Sequence, residues 1–281
     1  MPPADAGALD RAAEALTQAE ALLVATGAGM GVDSGLPDFR GNEGFWRAYP
    51  PLQRLGISFV QMANPDWFSQ DPTLAWGFYG HRLNLYRHTR PHAGFALLLE
   101  WGQRLPGGYF VFTSNVDGQH QKAGFEDDRV VECHGSIHHL QCTDCGNAPH
   151  IWSADDTQVE VDEERFRAQP PLPKCPSCGS LARPNILMFG DWDWIPNRTS
   201  AQEARLERWL AGLAGSRLVV IEIGAGSAVP TVRHTSERVT AALDATLVRI
   251  NPREPEVPPE QVGISAFALE TLEAIAARLL A

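Results

Sequence analysis

The sequence lacks several features that mark broad classes of protein. None of its apolar runs approaches the roughly 18 residues that a membrane-spanning helix needs. The first residues, Met1 to Gly7, have neither the basic flank nor the apolar core of a secretion signal. Basic residues are scarce, and the net charge of −11 disfavours a non-specific grip on DNA or RNA. We therefore expect a cytoplasmic protein that binds neither membranes nor nucleic acids directly. The sequence predicts no oligomeric state.

Cysteines are few, with five in 281 residues, and a reducing compartment does not favour disulfides between them. Four of them form two Cys-x-x-Cys pairs, Cys142 with Cys145 and Cys175 with Cys178. The two-residue gap lets both thiolates of a pair bind one ion, and four thiolates complete the tetrahedral shell of structural zinc. The sequence therefore predicts one closed zinc site with no open position for water, which excludes a metallohydrolase.

Short apolar runs alternate with helical patterns along most of the chain. Apolar residues recur at helical spacing at 8–20, 202–213 and 267–280. Four short runs are typical of buried parallel strands; they are Ala21–Thr26, Tyr109–Thr113, Leu218–Ile223 and Thr246–Ile250. Strands that alternate with helices predict the α/β class, with a doubly wound, parallel, Rossmann-like sheet.

Two stretches interrupt this alternation. Residues 42–90 are rich in aromatics, proline and glycine, and we interpret them as an inserted helical module. Residues 141–181 contain the paired cysteines, an acidic run and a proline cluster, and are too polar to form their own apolar core without a metal. The expected division is a discontinuous Rossmann-like domain (1–41, 91–140 and 182–281), the helical insertion and a small zinc-binding module.

The first strand runs directly into a glycine-rich turn, Gly27-Ala28-Gly29. Such a turn lets the backbone approach a pyrophosphate while the following helix offers free N–H groups. Val32 stands where the third glycine of a dinucleotide fingerprint would fall, so a plain tight turn is the alternative. Pro37 ends the helix, and Asp38-Phe39-Arg40 then supplies a carboxylate, a ring and a guanidinium. This set suits a ribose, an aromatic base and a phosphate.

His134 follows the apolar run from Val130 to Cys133, which predicts a strand that ends at this histidine. Open parallel sheets bind ligands at the carboxyl ends of their strands, so His134 is a candidate catalytic residue. A Cys133–His134 nucleophile pair is the alternative, but adjacent residues on a strand point to opposite faces. We interpret Cys133 as a buried, inert thiol.

Several ordered motifs resemble those of the sirtuins. The stretch from Thr26 to Gly41 is similar to the family's cofactor loop, and the stretch from Thr113 to Gly118 to its nicotinamide-pocket motif. Shorter matches follow in the family's order. His134-Gly135 matches the catalytic pair, and Ile250-Asn251 matches a cofactor contact after a late strand. The segment that leads into the family's substrate-binding strand is similar to Arg183-Pro184-Asn185-Ile186 with Phe189-Gly190. The resemblance covers nearly the whole chain.

The resemblance implies an NAD-dependent protein deacylase that acts on acylated lysines of partner proteins. The acyl oxygen would attack C1′ of the nicotinamide ribose, nicotinamide would leave, and neutral His134 would take a proton from a ribose hydroxyl. The products would be lysine, nicotinamide and an O-acyl-ADP-ribose. Asn115 and Asp117 would bind the carboxamide, Phe39 would shield the reacting centre, and Asp38 and Arg40 would shape the loop. The whole implied NAD-binding set is Gly27, Ala28, Gly29, Asp38, Phe39, Arg40, Ser114, Asn115, Asp117, Gly224, Ala225, Gly226, Ser227 and Asn251.

Four positions depart from the family pattern. Gly31 and Ser114 replace a serine and a glutamine, Gly224-Ala225-Gly226 replaces a Gly-Thr-Ser turn, and Asp191 replaces a glutamate. The segment after this turn is also one residue short, although Ser227 restores one hydroxyl. Each lost hydrogen bond is worth about 0.5–1.5 kcal/mol. Cofactor affinity or product partition is therefore expected to differ from the family norm.

Tyr79 and Arg82 have a Tyr-x-x-Arg spacing that resembles the pair reading the distal carboxylate of succinyl- or malonyl-lysine in some sirtuins. One helical turn places both residues on one face, and arginine suits a carboxylate. An ordinary amphipathic helix is the alternative interpretation. With Phe189 and Gly190 these residues form the expected substrate-binding set.

Two other functions stay open at the level of sequence. ADP-ribosyl transfer to a protein, or simple NAD hydrolysis, would use the same cofactor site without an acyl-lysine tunnel. A sensor of NAD or acyl-lysine with little turnover is the second, and the retention of His134, Asn115 and Asp117 disfavours it.

Overall fold

The computed structural model describes residues 5–38, 41–145 and 150–280. In chain order the strands are β1 (Ala21–Thr26), β2 (Tyr109–Thr113), β3 (Val130–Glu132), β4 (Gly135–Cys142), β5 (Ile151–Ser153), β6 (Val161–Asp162), β7 (Arg167–Ala168), β8 (Ala182–Ile186), β9 (Leu218–Ile223), β10 (Thr246–Ile250) and β11 (Val262–Ile264). The helices are α1 (Ala6–Gln18), α2 (Gly41–Ala48), α3 (Pro50–Arg54), α4 (Phe59–Met62), α5 (Trp67–Gln70), α6 (Pro72–His88), α7 (Ala93–Arg104), α8 (Gln119–Lys122), α9 (Asn197–Ala211), α10 (Thr231–Leu243) and α11 (Ala268–Leu279). Within these ranges no helix has the length and apolarity needed to cross a membrane.

Six strands form the main sheet, in the order β11-β10-β9-β1-β2-β3, and every neighbouring pair is parallel. The four apolar runs expected to be strands are β1, β2, β9 and β10, with the same bounds. All residues of β1 are buried, because helices cover both faces of a parallel sheet. The doubly wound α/β class is thus confirmed.

Alternate residues of β1 enter two different cores. Leu22 and Val24 pack with α1, α7 and α11, whereas Leu23 and Ala25 pack with α9 and α10. This separation follows from the period of two along a strand, which turns successive side chains to opposite faces. Helices therefore lie on both sides of the sheet and leave its carboxyl edge for the loops.

The chain order of the strands reverses at β1. The chain continues from β1 to β2 on one side, whereas β9 pairs with the other side of β1. Loops after two such strands leave in different directions and open a crevice between them, which is the usual ligand position in open α/β sheets. The turns that begin at Gly27 and Gly224 leave the sheet at this point.

The two inserted stretches pack against each other. Strands β5, β4 and β8 form a small antiparallel sheet, and helices α2 to α6 precede it in the chain. Both stretches contribute to one apolar cluster, for example through Trp76 and Phe166. The β6–β7 hairpin lies directly on α6: a Cβ at Gly77 would stand 2.4 Å from the carbonyl oxygen of Phe166, and one at Gly80 would stand 2.3 Å from Val159. The insertion between the cysteine pairs is therefore fitted closely to the helical segment.

Candidate functional site

A cavity of about 800 Å³ opens at the carboxyl edge of the main sheet, at the reversal point beside β1. This volume lies toward the upper end of the range of ligand sites. Thirteen of the residues selected from the sequence line it: Gly27, Ala28, Asp38, Tyr79, Arg82, Ser114, Asn115, Asp117, His134, Phe189, Gly224, Ala225 and Gly226. The structure thus brings together candidate cofactor, catalytic and substrate residues that are far apart in sequence.

Among the described candidates for cofactor and substrate binding, four do not line this cavity. Gly29 borders a smaller adjoining cleft, and Gly190 and Ser227 are exposed. Asn251 is fully buried, where its Nδ2 donates to the carbonyl oxygen of Ala225 at 2.8 Å. Its Oδ1 accepts from the N–H groups of Arg253 and Glu254, both at 3.1 Å, so Asn251 joins the turn after β9 to the loop after β10. Phe39 and Arg40 lie outside the described residues.

The two glycine turns touch each other through their backbones. A Cβ at Gly27 would stand 2.8 Å from Ala225 Cα, and one at Gly224 would stand 2.4 Å from Gly29 Cα. Gly224 also has a φ of +63°, which side chains rarely adopt. The Gly29 N–H donates to the Gly224 carbonyl at 3.1 Å. Glycine at these positions is therefore required by the contact between the turns, whatever ligand they bind.

The helix expected after the first turn is a seven-residue 3₁₀ segment, Ala28–Ser34. It ends at Gly35, which has a φ of +84°. Gly31 lies inside it, and a Cβ there would meet Leu36 at 3.1 Å, a tight contact. The serine that Gly31 replaces would thus press on the loop in this chain. The sequence predicted a helix after the turn without specifying its type, and the structure has a short 3₁₀ helix after which the chain turns at Gly35.

His134 lies between β3 and β4, where the chain leaves the parallel sheet and enters the antiparallel one. Its half-buried ring has Nε2 at 3.5 Å from the Thr231 hydroxyl. Burial lowers the pKa of His134 below its usual value, and hydrogen bonding to the Ser114 backbone partly offsets that effect. The imidazole is therefore held neutral near pH 7, as a general base must be. Cys133, by contrast, is buried, and burial raises the pKa of its thiol to about 12.

Asp117 and Asn115 follow β2 at the floor of the cavity. Burial raises the pKa of the Asp117 carboxyl to about 6, although the Gln119 N–H, which donates to Oδ1 at 3.0 Å, favours the charged form. The Asn115 side-chain amide donates to the Gly27 carbonyl at 3.0 Å. This bond connects the loop after β2 to the first glycine turn.

Tyr79 and Arg82 lie on α6 at the far side of the cavity. Both are buried, and within the described residues the Tyr79 hydroxyl has no hydrogen-bond partner. Arg82 Nε donates to the Tyr86 hydroxyl at 2.9 Å, and its guanidinium lies 5.4 Å from the centre of the Tyr86 ring. Tyr86 also lines the cavity. This end of the cavity therefore combines aromatic surface, one cationic group and tyrosine hydroxyls.

Asp191, one of the departures from the family pattern, has its partners inside the protein. It forms an ion pair with Arg183, and the two side chains are 0% and 3% exposed. Asp191 Oδ2 also accepts from the Met188 N–H at 3.2 Å. Removing either partner would leave a buried charge unpaired. The pair holds the 187–191 loop, which carries Phe189, against the cavity.

Several cavity residues were missed in the sequence. Arg253 and Glu254 come from the loop after β10, and Val229 from the segment before α10. Their approach depends on the packing of distant loops, and no local pattern indicates it. Tyr86, however, lies seven residues after Tyr79 and four after Arg82, so helical periodicity was a usable signal for it.

The four paired cysteines meet at the end of β4. The Sγ–Sγ distances are 3.5 Å for Cys142–Cys178, 3.5 Å for Cys145–Cys175 and 3.6 Å for Cys145–Cys178, and all four sulfur atoms lie within 4.8 Å of one another. A tetrahedral zinc site with Zn–S bonds of about 2.3 Å has edges of roughly 3.8 Å. The thiolates are thus positioned to bind one metal ion in a closed shell.

A family model decides the assignment: the model described as the Sir2 family matches residues 27–208, well over half of the chain. The chain belongs to the Sir2 family. A curated relative from Thermus thermophilus, named NAD-dependent protein deacylase, is 30% identical over 269 residues, which cover 93% of this chain and 91% of the relative. This result confirms the sirtuin resemblance drawn from the motifs.

Other relatives of this Sir2-family chain match over a shorter region. NAD-dependent protein deacylase 1 of Archaeoglobus fulgidus is 35% identical over 63% of this chain, and the deacylase of Aquifex aeolicus is 33% identical over 60%. The chain spans about three fifths of these two relatives, 62% of each. Among solved structures, a mutant Sir2 homologue bound to 2′-O-acetyl ADP-ribose superposes with a TM-score of 0.70 at 26% identity, covering 96% of both chains.

Proposed function

We propose that this Sir2-family protein removes acyl groups from lysine side chains of other proteins and consumes NAD in doing so. One observation carries the proposal: His134, both glycine turns and the apolar loop at Phe189 face one cavity. A base, a place for a pyrophosphate and a place for a substrate chain are thereby combined. The relatives named NAD-dependent protein deacylase support the same activity.

NAD would lie across the crevice between β1 and β9. The turns at Gly27–Gly29 and Gly224–Ser227 would hold its phosphates, because glycine permits a close approach of the backbone. Asn115 and Asp117 would bind the carboxamide, with the carboxylate of Asp117 accepting from its NH₂ group. Ser114 and Asp38 would complete this part of the site, together with Phe39 and Arg40. Asn251 would act by holding the second turn through its bond to Ala225.

The reaction would proceed by transfer of the acyl group to the ribose. NAD would supply the electrophilic C1′ of its nicotinamide ribose, to which the acyl-lysine oxygen would add as nicotinamide leaves, and His134 would accept a proton from a ribose hydroxyl so that this oxygen can take the acyl carbon. One water is consumed overall, and the products are lysine, nicotinamide and an O-acyl-ADP-ribose. The neutral state that burial imposes on His134 suits this role.

Tyr79 and Arg82 are proposed to bind the distal end of the acyl chain. A buried guanidinium beside aromatic rings in the wall of the cavity offers a site for a carboxylate. The preference would then be for acidic acyl groups, such as succinyl or malonyl, over acetyl. Arg82→Met keeps the volume and removes the charge, so it should reduce turnover of succinyl-lysine peptides and leave acetyl-lysine turnover less affected. Equal losses on both peptides would contradict this specificity.

The four cysteines are proposed to hold structural zinc, and the chain to divide as its sequence indicates. The Sγ distances suit tetrahedral zinc, and no thiolate of this set lines the cavity. The metal would supply folding energy to the segment around 141–181 and take no part in the reaction. The helical insertion (42–90) and the zinc-binding segment would share the apolar cluster described above.

The decisive experiment mixes the purified protein with NAD and a panel of acylated peptides, and identifies the products by mass spectrometry. O-acyl-ADP-ribose that disappears in His134→Ala supports the proposal. His139→Ala is the matched control, because His139 follows on β4 but does not line the cavity. ADP-ribosylated protein, or free ADP-ribose without peptide, would favour a transferase or hydrolase instead. Saturable NAD binding without any product would favour a sensor.

A further inference from the structure

Thr231 is the first residue of α10 and directly follows the segment that is one residue shorter than in the family pattern. Its hydroxyl lies 3.5 Å from Nε2 of His134, from which it is separated by 97 positions in the sequence. That distance is at the outer limit of a hydrogen bond, so the contact is weak and easily displaced. The shortened segment therefore delivers a hydroxyl to the Nε2 side of the His134 ring.

The surroundings of His134 select one arrangement of its proton. The Ser114 N–H already donates to the Thr26 carbonyl at 3.0 Å, so the Ser114 group that raises the pKa of His134 is its carbonyl oxygen. A carbonyl accepts only from a protonated ring nitrogen, and a neutral imidazole has one such nitrogen. The other nitrogen then carries the lone pair. A threonine hydroxyl is a rotatable donor that can point its hydrogen at that lone pair.

The position of Thr231 at the start of a helix has a second effect. Helix α10 is 13 residues long, and the N-terminal end of a helix carries a partial positive charge. That charge disfavours an imidazolium nearby, in the same direction as the burial of the ring. Both influences keep the base neutral, and the hydroxyl reinforces the tautomer that the Ser114 carbonyl selects.

We propose that Thr231 is a positioning residue for His134. The Thr231 hydroxyl contacts Nε2 of His134 until a ribose hydroxyl of NAD replaces it. The hydroxyl thereby biases the ring toward the orientation and tautomer that accept a proton at Nε2. The inference rests on the proposed deacylase function. Loss of this contact should slow the proton-transfer step three- to ten-fold, because a misplaced base reacts less often.

The test separates the step that needs the base from the step that precedes it. Exchange of isotope-labelled nicotinamide into NAD, with an acylated peptide present, reports the earlier step, whereas O-acyl-ADP-ribose formation needs His134. Thr231→Val removes the hydroxyl at constant shape, and Thr231→Ser restores it. Thr235→Val makes the same change one turn later on α10, at a buried threonine. We expect Thr231→Val to lose product formation three- to ten-fold with exchange within twofold of wild type, and the other two variants to resemble wild type.

Two results would overturn the inference: wild-type product formation by Thr231→Val, or parallel losses of exchange and product, which would indicate a role in NAD binding. Nitrogen-15 spectra of the His134 ring provide a readout that needs no turnover. Wild type should show the lone pair on Nε2, and Thr231→Val should show a larger share of the other tautomer; identical spectra would also overturn the inference. If wild type deacylates no peptide, the proposed function fails, but these spectra still decide the role of Thr231.

Discussion

NAD binding should weaken about ten-fold between pH 8 and pH 5, because Asp117 loses its charge over this range. Burial raises the pKa of this carboxyl, the Gln119 N–H lowers it, the nearby charge of Glu132 raises it and Arg82 lowers it, and the net value is about 6. With that pKa, nearly all of Asp117 is ionised at pH 8 but only about a tenth at pH 5. If only the ionised form of Asp117 binds the carboxamide, the dissociation constant for NAD rises in inverse proportion to the ionised fraction.

Isothermal titration calorimetry at several pH values would measure this dependence directly. Asp117→Asn removes the titrating group, so it should bind NAD weakly at every pH and show no slope. His134 is a second titratable group that lines the cavity, so His134→Ala serves as the control that should keep the wild-type slope. The reasoning is refuted if Asp117→Asn keeps the slope, or if His134→Ala abolishes it.

Three further predictions concern stability. Gly224→Ala should lower the free energy of unfolding, measured in urea, by more than about 2 kcal/mol, because its Cβ would collide with the first glycine turn. An equal loss in Gly226→Ala, where the space is open, would contradict this. Atomic emission should find no bound zinc in Cys142→Ser and a full zinc content in Cys133→Ser. A full zinc content in Cys142→Ser would refute the closed site. Burial lowers the pKa of His120 to about 3, so the ring stays neutral in the folded protein while the unfolded chain takes up a proton below about pH 6.5. The free energy of unfolding should therefore fall by about 2 kcal/mol on acidification to pH 5. His120→Gln should remove that share of the acid sensitivity; an unchanged pH dependence would show that other groups cause it.

The sequence predicted the strands of the sheet more accurately than the surroundings of the cavity. Runs such as Ala21–Thr26 have the observed bounds, because an uninterrupted apolar stretch can be buried only between two layers of helices. The cysteine pairs were also predictable, since spacing alone brings two thiolates to one ion. His134 could be chosen because it ends a strand of a parallel sheet.

What the sequence could not supply is the set of contacts between loops. Asn251 matched a cofactor-contact motif, yet the structure uses its amide to join two loops inside the protein. Glu254 reaches the cavity, and its carboxylate also accepts from the Ser227 N–H at 2.8 Å. Both arrangements depend on where the turn after β9 meets the loop after β10. Neither hydrophobic periodicity nor motif spacing contains that information.

The β6–β7 hairpin lies between the two cysteine pairs and packs directly on α6. Through this contact the proposed zinc-binding segment can influence which acyl chains the proposed site accepts. Gly77 and Gly80 admit the hairpin at distances that no side chain would allow, so it can settle in one position along the helix. The intervening turn of the same helix carries Tyr79, and Arg82 follows two residues after Gly80. An insertion or deletion between residues 159 and 168 would shift the part of α6 that carries the proposed acyl-binding residues. If Tyr79 and Arg82 bind the acyl chain as proposed, selectivity among acyl chains can change through a segment whose described residues do not line the cavity.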